Sequence, residues 1–430
     1  MVPWVWSVAS AAEPVELTLH EALDRLIADS PDWAAAEARV ASASGIARQA
    51  AAGFLPIVAA QGTYTRNDSE VVFGFSQLID GLLAAVPIPV DPAELPDVPD
   101  TVIQPLEVWS GAASVRIPLV APVAIADWTA ARRSVRALSG TTDEIRLELE
   151  SGLIAAAAGA EAAAGVVAAA TKAVDVAGDH LAATEIAQVA GTATSVDVLG
   201  AKADVARRRS ELAESQANLA SAQEQLGGLL GIDGPATVVL PEAAPLDPTG
   251  ATRPAITAAD ARVGAARAQV QSAWWRQFPT LAATGAATAA TEPYPTGNQT
   301  AWRVGLEATW TLYDGGFRYG KLHQAQADQA AAQAARTSEQ LRVSREQREA
   351  ERNLAVAQEQ LTLAMEQANL AAEASEVAQL GLSAGTVSPL QARDVETDAF
   401  RAEVGVVGAR ARLRIAEASL RRARGLDQRW

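Results

Sequence analysis

The 430-residue chain contains no cysteine and three histidines, and carries a formal charge of −16 at neutral pH. The missing cysteines exclude a disulfide framework, a thiolate zinc site and a cysteine nucleophile, and the acidic balance disfavours nucleic acid, whose phosphates need basic clusters. Only 5% of residues are aromatic while alanine fills the long segments, which suits long, narrow, closely packed helices rather than a thick core.

Residues 1–12 are apolar and end in the small-residue run Ala9-Ser10-Ala11, reading as the remnant of a secretory signal peptide. A first structural repeat is expected over residues 17–230. It opens with helices over 19–53, where Thr18 and Glu21 form a capping box and Pro31 restarts the helix after Ser30. Strands follow at 57–66 and 108–119, then helices at 124–189 and 196–230. The run Leu153–Ala170 is mostly alanine and is interrupted by Glu161, so it reads as a tightly packed helix and not as a membrane span. Residues 70–105 separate the two strands and hold six prolines (Pro87, Pro89, Pro92, Pro96, Pro99 and Pro105) among acids, which marks an external loop. A proline-rich linker spans 231–253. The second repeat, 254–426, gives a helix at 254–277, strands at 280–292 and 302–313, and helices at 317–383 and 390–424.

The repeat shows in constant offsets. Pro31 and Pro56 return as Pro254 and Pro279, 223 residues on (254 − 31; 279 − 56), and Trp109 returns as Trp302, 193 on (302 − 109). The difference of 30 (223 − 193) is the excess length of the first inter-strand loop.

Around the strands the hydrophobic period changes from helical to two. Trp302, Val304, Leu306, Ala308, Trp310 and Leu312 fall on one face, with Arg303, Glu307, Thr309 and Thr311 on the other. A strand of about 12 residues is roughly 40 Å long, and at a 45° tilt covers about 28 Å, an outer-membrane thickness. Trp109, Trp302, Trp310 and Tyr313 then sit as membrane-interface aromatics. Four antiparallel strands per chain cannot close a barrel. Either other subunits complete the sheet, most economically symmetric copies, or the strands form a small head on a soluble or peripheral extracytoplasmic coiled-coil scaffold with no transport role. No nucleophile, base, metal or cofactor constellation converges, so no catalytic residue is expected; His20, His180 and His323 take surface or packing roles.

Several segments, in this order and twice over, resemble the TolC-type outer-membrane efflux protein family across about Leu17–Leu426. They are Leu19-x-x-Ala22-Leu23, Ser30-Pro31 with Arg253-Pro254, Phe54-Leu55-Pro56 with Phe278-Pro279, Leu312-Tyr313-Asp314-Gly315-Gly316, and Gly191-Thr192 through Leu199 with Gly385-Thr386 through Leu390. The resemblance implies an α+β membrane protein. Three chains would give a twelve-stranded outer-membrane β-barrel on a periplasmic α-barrel of long helices. It implies the exit duct of a tripartite efflux pump or type I secretion system, working as a homotrimer with a periplasmic adaptor and an inner-membrane RND or ABC transporter. By the same resemblance Asp197, Gln391 and Asp394, with the turn residues Thr192 and Thr386, are candidates for the periplasmic aperture. There, carboxylates crowded on one axis would raise one another's pKa and attract cations. Alternatively, Asp197 belongs to the first turn of its helix, where the dipole favours an acid. Val387 stands where well-known members carry a basic residue, and Val120-Ala121-Pro122 replaces the Asp-Gly-Gly turn in the first copy.

Overall fold

The computed structural model describes residues 13–74, 79, 81, 85, 101–242, 252–291, 298–384 and 386–429. The signal-like start, most of the proline-rich loop, Pro245, Pro248 and Gly385 lie outside these. The elements run β1 (Val15–Thr18), α1 (Leu19–Asp29), α2 (Pro31–Ala52), β2 (Ile57–Arg66), β3 (Val71–Phe73), β4 (Thr101–Gln104), β5 (Glu107–Val120), α3 (Pro122–Val189) and α4 (Ser195–Leu229). Then come β6 (Ala236–Val239), α5 (Pro254–Trp275), β7 (Thr280–Ala290), β8 (Thr300–Thr309), α6 (Phe317–Ser383) and α7 (Pro389–Arg424). They divide into two compact units that cut across both repeats: Met1–Ser44, Arg133–Gly264 and Ala330–Trp430 form one, and Gly45–Arg132 with Ala265–Gln329 the other.

The first unit is helical. In α1, Leu19, Ala22, Leu23 and Leu26 recur at helical spacing and are all buried. They join Leu153, Ile154, Ala157 and Ala160 of α3, Leu226 and Leu230, Ala236 and Val238 of β6, and Ala418 of α7 in one apolar cluster. By length and composition α3 suffices to cross a membrane, but the core of its apolar run is committed to this cluster. Elsewhere contact is made by alanine and glycine: a Cβ at Gly140 would come within 3.2 Å of the Ala258 backbone, so glycine there permits the close approach of α3 and α5.

One charged group crosses this packing. Arg253, at the head of α5, is 2% exposed and its guanidinium is bonded to Glu144 of α3 and Glu346 of α6. Arg342 closes the network by pairing with Glu339 and Glu346. Each of its three nitrogens meets a carboxylate, which makes burial of the cation tolerable.

The second unit carries a four-stranded antiparallel sheet in the order β2-β5-β7-β8. Its register confirms the alternation: Trp302 faces Ala287, which faces Ala113, while Arg116 faces Thr284, which faces Gly305. β2 and β8 are the outer strands.

Residues 19–53 are two helices parted at Ser30, where Pro31 has no N–H to continue the first and opens the second. Three expectations need correction. The external loop 70–105 pairs at its base: β3 meets β4 antiparallel, since Val71, Val72 and Phe73 and Thr101, Val102 and Ile103 are strand formers flanking the prolines. The linker 231–253 contains β6, which pairs in parallel with β1, a partner supplied only by tertiary structure. The strand expected over 302–313 ends at Thr309. Its partner there is Thr280, directly after Pro279, and proline offers no ladder donor.

Replacing Arg253 by Ala strands Glu144 and leaves Glu346 only Arg342, with an expected cost of about 3–5 kcal/mol. Loss of helical circular dichroism on heating should occur at a clearly lower temperature than in the parent; an unchanged melt would show that the cluster carries no stability.

Candidate functional site

Two helix-turn-helix tips carry the aperture candidates. At the first, Gly191 adopts φ 79°, a left-handed conformation that glycine accepts without strain. It lets the Thr192 and Ala193 amides and the Thr192 hydroxyl donate to the Ala187 carbonyl. At the second, the Thr386 and Val387 amides and the Thr386 hydroxyl donate to the Gly381 carbonyl. Thr192 and Thr386 therefore lock the turns by the same bonds in both copies.

Asp197 closes a capping box on α4: its carboxylate accepts from the Thr194 amide at 2.8 Å and hydroxyl at 2.7 Å. These bonds, the backbone one first, hold its carboxyl below the ordinary range. In the single chain the cap thus acts on Asp197 in the sense opposite to the mutual raising expected of crowded carboxylates. Gln391 is its counterpart on α7, accepting from the Ser388 amide and hydroxyl at 3.1 and 3.0 Å. Asp394 is exposed beside Arg393, 3.9 Å away.

Asp197 and Gln391 do not share a cavity. Asp197 lines a cleft of about 220 Å³ with His180, Asp204, Arg393 and Glu396, whereas Gln391 borders a shallow groove with Thr386 and Val387. Arg393, which the sequence did not single out, brings a cation into the cleft of Asp197. Also unforeseen is the His180–Glu396 contact between α3 and α7, at 2.5 Å, with Gln379 of α6 donating to the same carboxylate. Arg208, on α4, is 5% exposed; it donates to Thr397 of α7 at 2.8 Å and packs over Phe400. These side chains fasten the first hairpin to the second, and no linear motif announces them because each pair is about 190 to 220 residues apart in the chain. Among the described residues no group of His, Asp and Glu side chains converges as a metal site.

The aromatics fall at two levels of the sheet. Trp109 stacks on Tyr64, ring centres 4.7 Å apart, and Trp302 stands 80% exposed near the loop end of β8. Trp310 lies just past β8 at the helical end, where its indole donates to the Gln277 carbonyl at 3.1 Å, and Tyr313 follows, exposed. Apolar side chains between two aromatic levels are what a lipid-facing barrel wall presents.

A sheet with one apolar and one polar face, two outer strands that each pair along one edge only, and paired long helical hairpins defines a subunit of an outer-membrane channel. The profile of the outer membrane efflux protein family matches residues 22–232 and 249–426, and the chain belongs to that family. No protein of curated function matches it in sequence. Among solved structures, the outer-membrane channel OprN is 21% identical with a TM-score of 0.75, over 95% of this chain and 90% of that one. The outer membrane protein VceC of Vibrio cholerae is 19% identical with a TM-score of 0.76, over 95% and 96%. CusC is 16% identical with a TM-score of 0.78, over 99% and 97%. The strands accordingly contribute to an outer-membrane β-barrel and the long helices to a periplasmic helical barrel. The protein is an outer-membrane efflux duct, and its family is one of channels, not enzymes.

Glu396 holds the His180 imidazole above its ordinary value, chiefly by the hydrogen bond; partial burial opposes this, and Asp204 and Asp179 add to it. A pKa raised in the folded state stabilises fully below the unfolded value of about 6.5 and is lost as pH rises through the folded value. The parent should therefore lose thermal stability from about pH 6.5 upward by more than His180→Gln does. Parallel melting curves across that range would refute the link.

Proposed function

We propose that the chain is the homotrimeric exit duct of a tripartite efflux pump or type I secretion system. It would receive substrate from a periplasmic adaptor and an inner-membrane RND or ABC transporter and pass it outward without bond chemistry. The observation that carries this is the pair of open strand edges: β2 and β8 each leave a row of backbone groups that hydrocarbon cannot satisfy. Three copies joined β8 to β2 remove every edge and give twelve strands. The two repeats, 17–230 and 254–426, each supply two of the four strands and one long hairpin to this assembly. A trimer resistant to mild detergent and dissociated by heat should appear on gels of outer-membrane extracts; a monomer in the soluble fraction would end the proposal.

At the periplasmic end, the same reading makes Asp197 and Asp394 a set of six carboxylates around the aperture, with Gln391, Thr192 and Thr386 shaping the turns. Charge and capping are separable at Asp197, because asparagine keeps the acceptor oxygen and removes the charge. The double change Asp197→Asn and Asp394→Asn should leave helix content intact and lower the preference of single channels for cations. Identical reversal potentials in parent and variant would remove both residues from the aperture.

A further inference from the structure

On the polar face of the sheet the described strands carry three charges: Arg116 on β5, and Arg303 and Glu307 on β8. Two of them cancel. Arg116 reaches across the small residues of β7 and meets Glu307 through both guanidinium nitrogens, at 2.8 and 3.3 Å. Among the described residues Arg303 has no ion pair or hydrogen bond. Its row across the sheet is Ala286, then Ser114, then Ala59, so no neighbour along that row neutralises it.

Closing the sheet with further copies does not supply a partner. The strand placed beside β8 is β2 of the next copy, and Ile57–Arg66 contains no Asp or Glu. Its residues on the polar face are Ile57, Ala59, Gln61, Thr63 and Thr65, while Arg66 lies on the other face, paired with Glu107. Strand parity also forbids Arg303 from escaping to lipid, because its neighbours Trp302 and Val304 occupy that face.

We infer that Arg303 forms an uncompensated ring of guanidinium groups inside the β-barrel, one from each copy, and that this ring sets the anion preference of the outer section of the duct. The inference rests on the exit-duct reading. It gives a chain of net charge −16 a cationic collar at the strand level where solutes leave, acting on anionic solutes by long-range attraction in a confined lumen. The balanced Arg116–Glu307 pair, by contrast, contributes little field.

The test is the reversal potential of single channels in planar bilayers across a KCl gradient. Arg303→Gln should raise the potassium-to-chloride permeability ratio by roughly twofold or more, Arg303→Glu should raise it further, and Arg303→Lys should keep the parental value. Joint removal of the pair, Arg116→Gln with Glu307→Gln, should leave the ratio near the parental one. Pores of normal conductance whose ratio is the same in Arg303→Gln as in the parent overturn the ring alone. A parent protein that forms no pores overturns the duct reading and the ring with it.

Discussion

The organisation of this protein depends on one constraint: backbone amides and carbonyls cannot stay unpaired in hydrocarbon. A chain with four adjacent strands has two outer edges, at β2 and β8, and no described strand pairs with them. The repeat is therefore meaningful only in an assembly. The alternation of Trp302, Val304 and Leu306 against Arg303 and Glu307 shows which side of that assembly faces lipid.

In the helical unit the problem is different, since long helices need neighbours along their length rather than closed edges. Alanine and glycine provide close approach, as at Gly140 against Ala258. A few polar groups then set which helices meet: Arg253 holds α3 and α6 to the head of α5, and His180 with Arg208 joins the two hairpins near their tips. Small apolar surfaces are nearly interchangeable, whereas a buried guanidinium accepts few arrangements. This difference explains why a chain of such low complexity packs in one way.

The tips show how a local requirement and the proposed aperture role fall on the same residue. Asp197 and Gln391 both complete capping boxes, which a helix restarting after a sharp turn needs in any case. Only Asp197 adds a charge, so the two copies close their turns identically while presenting different electrostatics.

Period, punctuation and repetition were readable directly in the chain. Helix and strand formation follow from local residue patterns, so β2, β5, β7 and both long hairpins were placed within a few residues, and the duplicated Gly-Thr turns fixed the tips. The base of the long loop was missed because prolines dominate its composition, although Val71–Phe73 and Thr101–Gln104 pair beneath them. The β1–β6 pair was missed because each strand is four residues long and gains its partner from over 200 residues away. The contacts of His180 with Glu396, Arg253 with Glu144, and Arg116 with Glu307 belong to the same class. Sequence alone determined the long helices, the strands of the four-stranded sheet and the apolar face of β5 and β8, because those depend on neighbours along the chain. Tertiary structure alone decided which charges are cancelled and which remain, because a charge is neutralised by whatever lies a few ångströms away in space, wherever that residue stands in the chain.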